Sequence, residues 1–102
     1  MHTVVAGLRL YGNKSGTSGI LAFEISDSAI MIIFHEKLAG KHVAYWYDYE
    51  DPGEEHVEEM KRLAMLGKGL ASYKNKNVKG HRKRRPLSKS QEKELNYLLL
   101  RQ

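Results

Sequence analysis

From His42 to Tyr49 the chain alternates so strictly that an extended strand is the natural way to accommodate it. Val43, Tyr45, Tyr47 and Tyr49 fall on one side and His42, Ala44, Trp46 and Asp48 on the other, which is the two-residue period of a β-strand. One of those sides has to be core. Upstream, Ala29 to Phe34 is apolar without interruption, so a strand over Ala29 to His35 is expected to be buried on both faces. Leu38-Ala-Gly-Lys41 between them has the chemistry of a hairpin turn. Thr3 to Tyr11 and Ile20 to Ile25 read as two further strands. The Gly- and Ser-rich stretch 12–19 joins them, and Ser26-Asp-Ser28 separates the second from the third.

A helix follows. Asp51-Pro-Gly-Glu54 reads as a helix start, with Asp51 as N-cap, Pro52 at the first helical position and Glu54 completing a capping box. Glu54, Glu55, Glu58 and Glu59 crowd the N-terminal turns while Lys61, Arg62 and Lys68 come late, so the charges complement the helix dipole. That position explains the carboxylates more simply than an acid/base pair does. Val57, Met60, Leu63 and Ala64 are spaced to face the sheet, and Gly67 and Gly69 end the helix. Leu70 to Val78 is either a short helix or an irregular return to the sheet, anchored by Leu70, Tyr73 and Val78. Ser88-Lys-Ser-Gln91 is a second capping box opening a helix that runs to Arg101. Its apolar side is Leu95, Leu98 and Leu99, and a helix this short must dock on the domain, a second copy or a partner.

The expected architecture is therefore α+β: an antiparallel sheet of about four strands packed against one main helix over 52–66, plus a C-terminal helix. The domain occupies residues 1–80, a basic connector 81–87, and the terminal helix 88–102.

Charge divides the chain sharply. Residues 1–66 carry six Lys and Arg against ten Asp and Glu, and residues 67–102 eleven against two, so a net −4 is followed by a net +9. Asymmetry of this kind points to polyanion binding or to a basic tail. The densest stretch is 74–85, where Lys74, Lys76, Lys79, Arg82, Lys83, Arg84 and Arg85 place seven cations in twelve residues, interleaved with Tyr73, Asn75 and Asn77. Such cations neutralise phosphates and release counterions, while Asn and Tyr add contacts to sugar and base. Tyr45 and Tyr47 are candidates for base stacking on the sheet, against the simpler reading that their rings fill the core and their hydroxyls sit at its rim.

The run Ile25-Ser-Asp-Ser-Ala-Ile30, the Tyr45-Trp-Tyr47 strand followed by Pro52, the helix ending in Ala64, and Gly67-Lys-Gly69 with Asn75-Lys-Asn77-Val78-Lys79 resemble the KTSC domain. That family is named for its occurrence at the C-terminus of some lysyl-tRNA synthetases and also occurs as small stand-alone proteins. The resemblance covers about residues 25–80. It implies a small α+β module with a nucleic-acid role, and carries over only the Tyr-x-Tyr and Gly-x-Gly positions. Gly67 stands where the family has Ser, and the interval from Gly69 to Val78 is about two residues longer.

Other chemistry finds little footing. The five histidines are dispersed, with no pair at the i, i+4 spacing of a helical metal site. His35 and His42 alone could meet, across the predicted hairpin, but strand histidines more often face solvent. There is no cysteine, hence no thiolate zinc site and no disulfide framework, which suits a reducing cytoplasm. No nucleophile elbow or complete phosphate loop is present, and Gly67-Lys-Gly69 follows a helix rather than preceding one. No signal peptide or membrane span is expected, nor is a cofactor. The chain reads as a non-catalytic RNA- or DNA-binding protein. The competing reading is a small regulator or inhibitor, of the kind mobile elements encode, that binds a protein or a second copy through Leu95, Leu98, Leu99 and the acidic helix surface.

Overall fold

A computed structural model describes residues 5–14, 16, 18–78 and 83–102. Five antiparallel strands in the order β1-β2-β3-β4-β5 form one sheet: β1 Val5–Leu10, β2 Ile20–Ser26, β3 Ala29–Leu38, β4 Lys41–Asp48 and β5 Arg84–Pro86. Three helices accompany it: α1 Glu54–Leu66, α2 Leu70–Asn77 and α3 Lys89–Leu100. The α+β class and the first four strands follow the hydrophobic pattern; the fifth strand lies where a connector was expected.

Both sides of β4 are covered, which explains its composition. Val43, Tyr45 and Tyr47 join Phe23, Ile25, Ile30 and Ile32 beneath Val57, Met60, Leu63 and Leu70 of the first two helices. On the opposite face Ala22, Met31, Ile33 and Ala44 meet Leu8, Leu87 and Leu95, with Leu98, Leu99 and Trp46 packed at the margin. The sheet is thus the middle layer between α1–α2 and α3, and its central strands contribute apolar side chains to two separate cores. The β3–β4 hairpin turns through Ala39 and Gly40, at φ 53° and 80°, the two successive positive values of a tight hairpin connection.

The start of α1 differs from expectation. Its cap is Gly53 with no side-chain cap bond, so neither Asp51 as N-cap nor Pro52 as first helical residue holds. Asp48 has claimed that segment: its Oδ1 accepts the N–H groups of Glu50 and Asp51, both at 3.0 Å, and Pro52 bridges back to Asp48. A turn organised by an upstream aspartate displaces the helix start by two residues. At the other end Gly67 closes α1 in the left-handed region, φ 82°. A Cβ there would also lie 3.2 Å from the Cα of Gly12, so the β1–β2 loop crosses the helix terminus only because both residues are glycine. The second capping box forms as expected, Ser88 and Gln91 exchanging bonds at the start of α3.

Three of the leucines of α3 face the sheet, while Leu100 is exposed. Leu95 is fully buried and Leu98 and Leu99 lie half-buried against the sheet, so of the three surfaces on which the helix could dock, the domain itself takes this face and roofs the second core. Among the described residues no helix is long and apolar enough to cross a membrane.

Candidate nucleic-acid interface

The pairing of β5 with β4 brings the basic run into the fold. Val43 pairs with Pro86, Ala44 with Arg85 and Tyr45 with Arg84, and main-chain bonds from Trp46 to Lys83 and from Leu87 to His42 extend the ladder at 2.8 and 3.0 Å. Buried Leu87 holds the segment down. Because side chains alternate along a strand, the two adjacent arginines are sent to opposite faces.

On the α3 face, the guanidinium of Arg85 lies over the indole of Trp46, 4.5 Å from the ring centroid. The pair separates two shallow grooves. One is bounded by Asp48, Lys83 and Arg84, the other by Pro86, Ser88, Ser90 and Gln91 at the start of α3. Lys83 is half-exposed and its ammonium sits 2.5 Å from Asp48. That contact, above all a hydrogen bond, holds the carboxyl of Asp48 below its ordinary range and raises the lysine. Arg85 itself makes no ion pair with a described carboxylate.

On the α1–α2 face, Arg84 approaches Glu36 at 4.0 Å and is raised mainly by a hydrogen bond to Tyr45. The Tyr45 hydroxyl donates to Glu36 at 2.6 Å, and burial, followed by that bond, pushes its pKa up. Phe34 meets the Tyr45 ring edge-on at 5.1 Å.

The expected contact residues are thus divided. Asn75, Lys76 and Asn77 are exposed on α2, and Lys83, Arg84 and Arg85 are exposed at the sheet edge. Lys79 and Arg82 lie outside the described residues. Lys74 is not on the surface; it is 8% exposed. Tyr73 is half-buried, its hydroxyl 2.8 Å from His56 Nδ1. Tyr45 and Tyr47 offer no stacking platform: each is 4% exposed, their rings enclosed between sheet and helices. The hydroxyl of Tyr45 does reach the rim, but that of Tyr47 is buried with no partner among the described residues, and burial drives its pKa upward.

Trp46, on the other side of the same strand, is half-buried at the margin of the second core and partly open to the surface, whereas Tyr97 on α3 is 56% exposed beneath Arg101. The contact between Trp46 and Arg85 was hidden in the sequence because the arginine comes from a strand with no hydrophobic signature. His35 and His42 do not face each other: His42 pairs with Lys37 across the hairpin and turns its ring to Glu92. The acidic surface of α1 is partly consumed internally, Glu58 by Lys61 and Tyr49, and Glu59 by Arg62.

No family model, curated protein or solved structure matches the chain.

Proposed function

We propose that the chain is a small non-catalytic protein that binds single-stranded nucleic acid, RNA or DNA, along the β5 edge of its sheet. The observation that carries this reading is Arg85 lying on Trp46 at an exposed edge. An unpaired base can stack on the outer face of the guanidinium, or on the indole in its place, and stacking of this kind is worth about 1–3 kcal/mol per base. Lys83 and Arg84 flank the pair and supply the phosphate contacts. Their partners Asp48 and Glu36 are partly solvated, so exchanging a carboxylate for a phosphate costs little. Sequence preference is weak, because neither stacking nor phosphate contact reads base edges. A reducing cytoplasm, suited to a cysteine-free chain, is where we place it.

Fluorescence anisotropy of labelled single-stranded RNA, single-stranded DNA and duplex DNA, at low and at physiological salt, tests the proposal. The expected outcome is single-strand binding that survives physiological salt and weakens about tenfold in Trp46→Ala, the equivalent of 1.4 kcal/mol and within the range for one lost base stack. Binding that is absent, or that disappears equally for all three nucleic acids as salt rises, overturns it.

A further inference from the structure

One cation of the basic run is in an unusual position for a lysine. Lys74 is only 8% exposed, yet among the described residues it meets no carboxylate within ion-pair distance and no hydrogen-bond acceptor. Its ammonium lies over the Phe34 ring, 5.7 Å from the centroid. A quadrupole contact of this kind offsets only part of the cost of removing an ammonium from water. Buried lysines are ordinarily paired.

The side chain opens on a cavity of about 450 Å³ lined by Phe34, His35, Glu36, Tyr45, Lys74 and Arg84. Ten residues apart in sequence, Lys74 and Arg84 arrive there from different elements, α2 and β5. Formally, the lysine and the arginine are set against one carboxylate, with the His35 ring in the cavity wall. Glu36 is held by the Tyr45 hydroxyl at 2.6 Å but only loosely by Arg84, at 4.0 Å. The formal balance is one positive charge, and the unpartnered donor is the ammonium of Lys74.

We propose that Lys74 and Arg84 form a seat for a phosphodiester monoanion, which, resting on the function proposed above, is one backbone phosphate of the bound strand. The charge balance selects this group. A phosphodiester carries the single negative charge the seat lacks, whereas a dianion such as sulfate would leave an excess beside Glu36. The volume exceeds one phosphate and leaves room for the attached sugar. Arg84 borders both this cavity and the groove beside Trp46. A strand seated here can therefore continue around the short β5 edge to the Arg85–Trp46 pair on the other face.

The desolvated ammonium is also a reporter. Burial pulls the pKa of Lys74 below its ordinary value, and an anion brought against it must push that value back up. The charged and titratable groups facing it are His35 and Glu36 on β3, Tyr45 on β4 and Arg84 on β5.

The test uses the full chain with two readouts. In the first, the 13Cε resonance of Lys74 is titrated with pH, alone and with dimethyl phosphate or sulfate. The expected result is an upward move of the midpoint with dimethyl phosphate, a smaller one with sulfate, and none with dimethyl phosphate in Arg84→Gln. In the second, single-stranded oligonucleotide affinity is measured against salt. Lys74→Met, which keeps length and removes charge, is expected to lose about tenfold in affinity and to lower the salt slope by about one.

Wild-type protein that binds oligonucleotide, with Lys74→Met binding equally at the same salt slope and a midpoint indifferent to dimethyl phosphate, overturns the seat and leaves the proposed function standing. A midpoint that responds to dimethyl phosphate in a protein that binds no oligonucleotide does the reverse. Should Lys74→Met fail to fold, Arg84→Gln at its exposed position carries both readouts.

Discussion

Glu92 reaches back from the first turn of α3 to hold one residue of the sheet twice: Oε2 accepts the main-chain N–H of His42 at 2.7 Å, and Oε1 lies 3.1 Å from the ring Nδ1. Through this contact the last helix is tied to the strand that pairs with β5. Burial works to raise the carboxyl, but the His42 main-chain and ring contacts prevail and hold it below the ordinary 4.5.

A carboxylate whose folded pKa is depressed contributes stability that is fully present above its unfolded pKa and is lost as pH falls through the folded value. Glu92→Gln should therefore cost about 1 kcal/mol near neutrality, the scale of one hydrogen bond at a partly solvated site. The gap to wild type should stay constant above pH 4.5 and close as pH falls further. Urea unfolding at a series of pH values measures it; a gap that widens in acid would contradict the assignment.

Tyr47→Phe should raise stability. The hydroxyl it removes is buried without a partner among the described residues, so its desolvation is uncompensated and the gain is about 1 kcal/mol. Chemical denaturation reads this directly. A loss instead would mean that the hydroxyl is satisfied by an ordered water.

Leu95→Ala should cost about 2–5 kcal/mol, the range for a large-to-small change in a packed core. Leu95 is fully buried among Leu8, Met31, Ile33, Ala44 and Leu87. If the helix served mainly as a handle for another protein, the same substitution would leave the melting temperature near wild type.

Much of this architecture is written in the period of the apolar residues. The alternation of Val43 to Tyr49 and the unbroken run at Ala29 to Phe34 specify two central strands, and Val57, Met60, Leu63 and Ala64 specify the helix that covers them. The pattern also contained a signal that charge obscured. Leu70, Lys74 and Val78 are spaced four apart, so a helix through them aims all three at the same side, and the lysine follows its apolar neighbours inward. What could not be read is β5. Its three residues are charged or proline, all exposed, and their hydrogen bonds to β4 are main-chain bonds that no side-chain pattern records. With β5 unseen, neither Arg85 on Trp46 nor Arg84 beside Lys74 could be anticipated. The start of α1 was misplaced for a related reason: a side chain outside the helix, Asp48, had already organised the turn.

Arg84 and Arg85 are the same residue in adjacent positions, so nothing in their own chemistry decides which of them meets Trp46 and which borders the cavity of Lys74. That choice belongs to Leu87. Moving the strand along β4 by one residue would exchange the two arginines between faces at little electrostatic cost, but it would also lift Leu87 out of the core it fills with Leu95. An uncharged residue of the second core thus sets the address of each cation, and a change there would scramble the surface without altering a single charge.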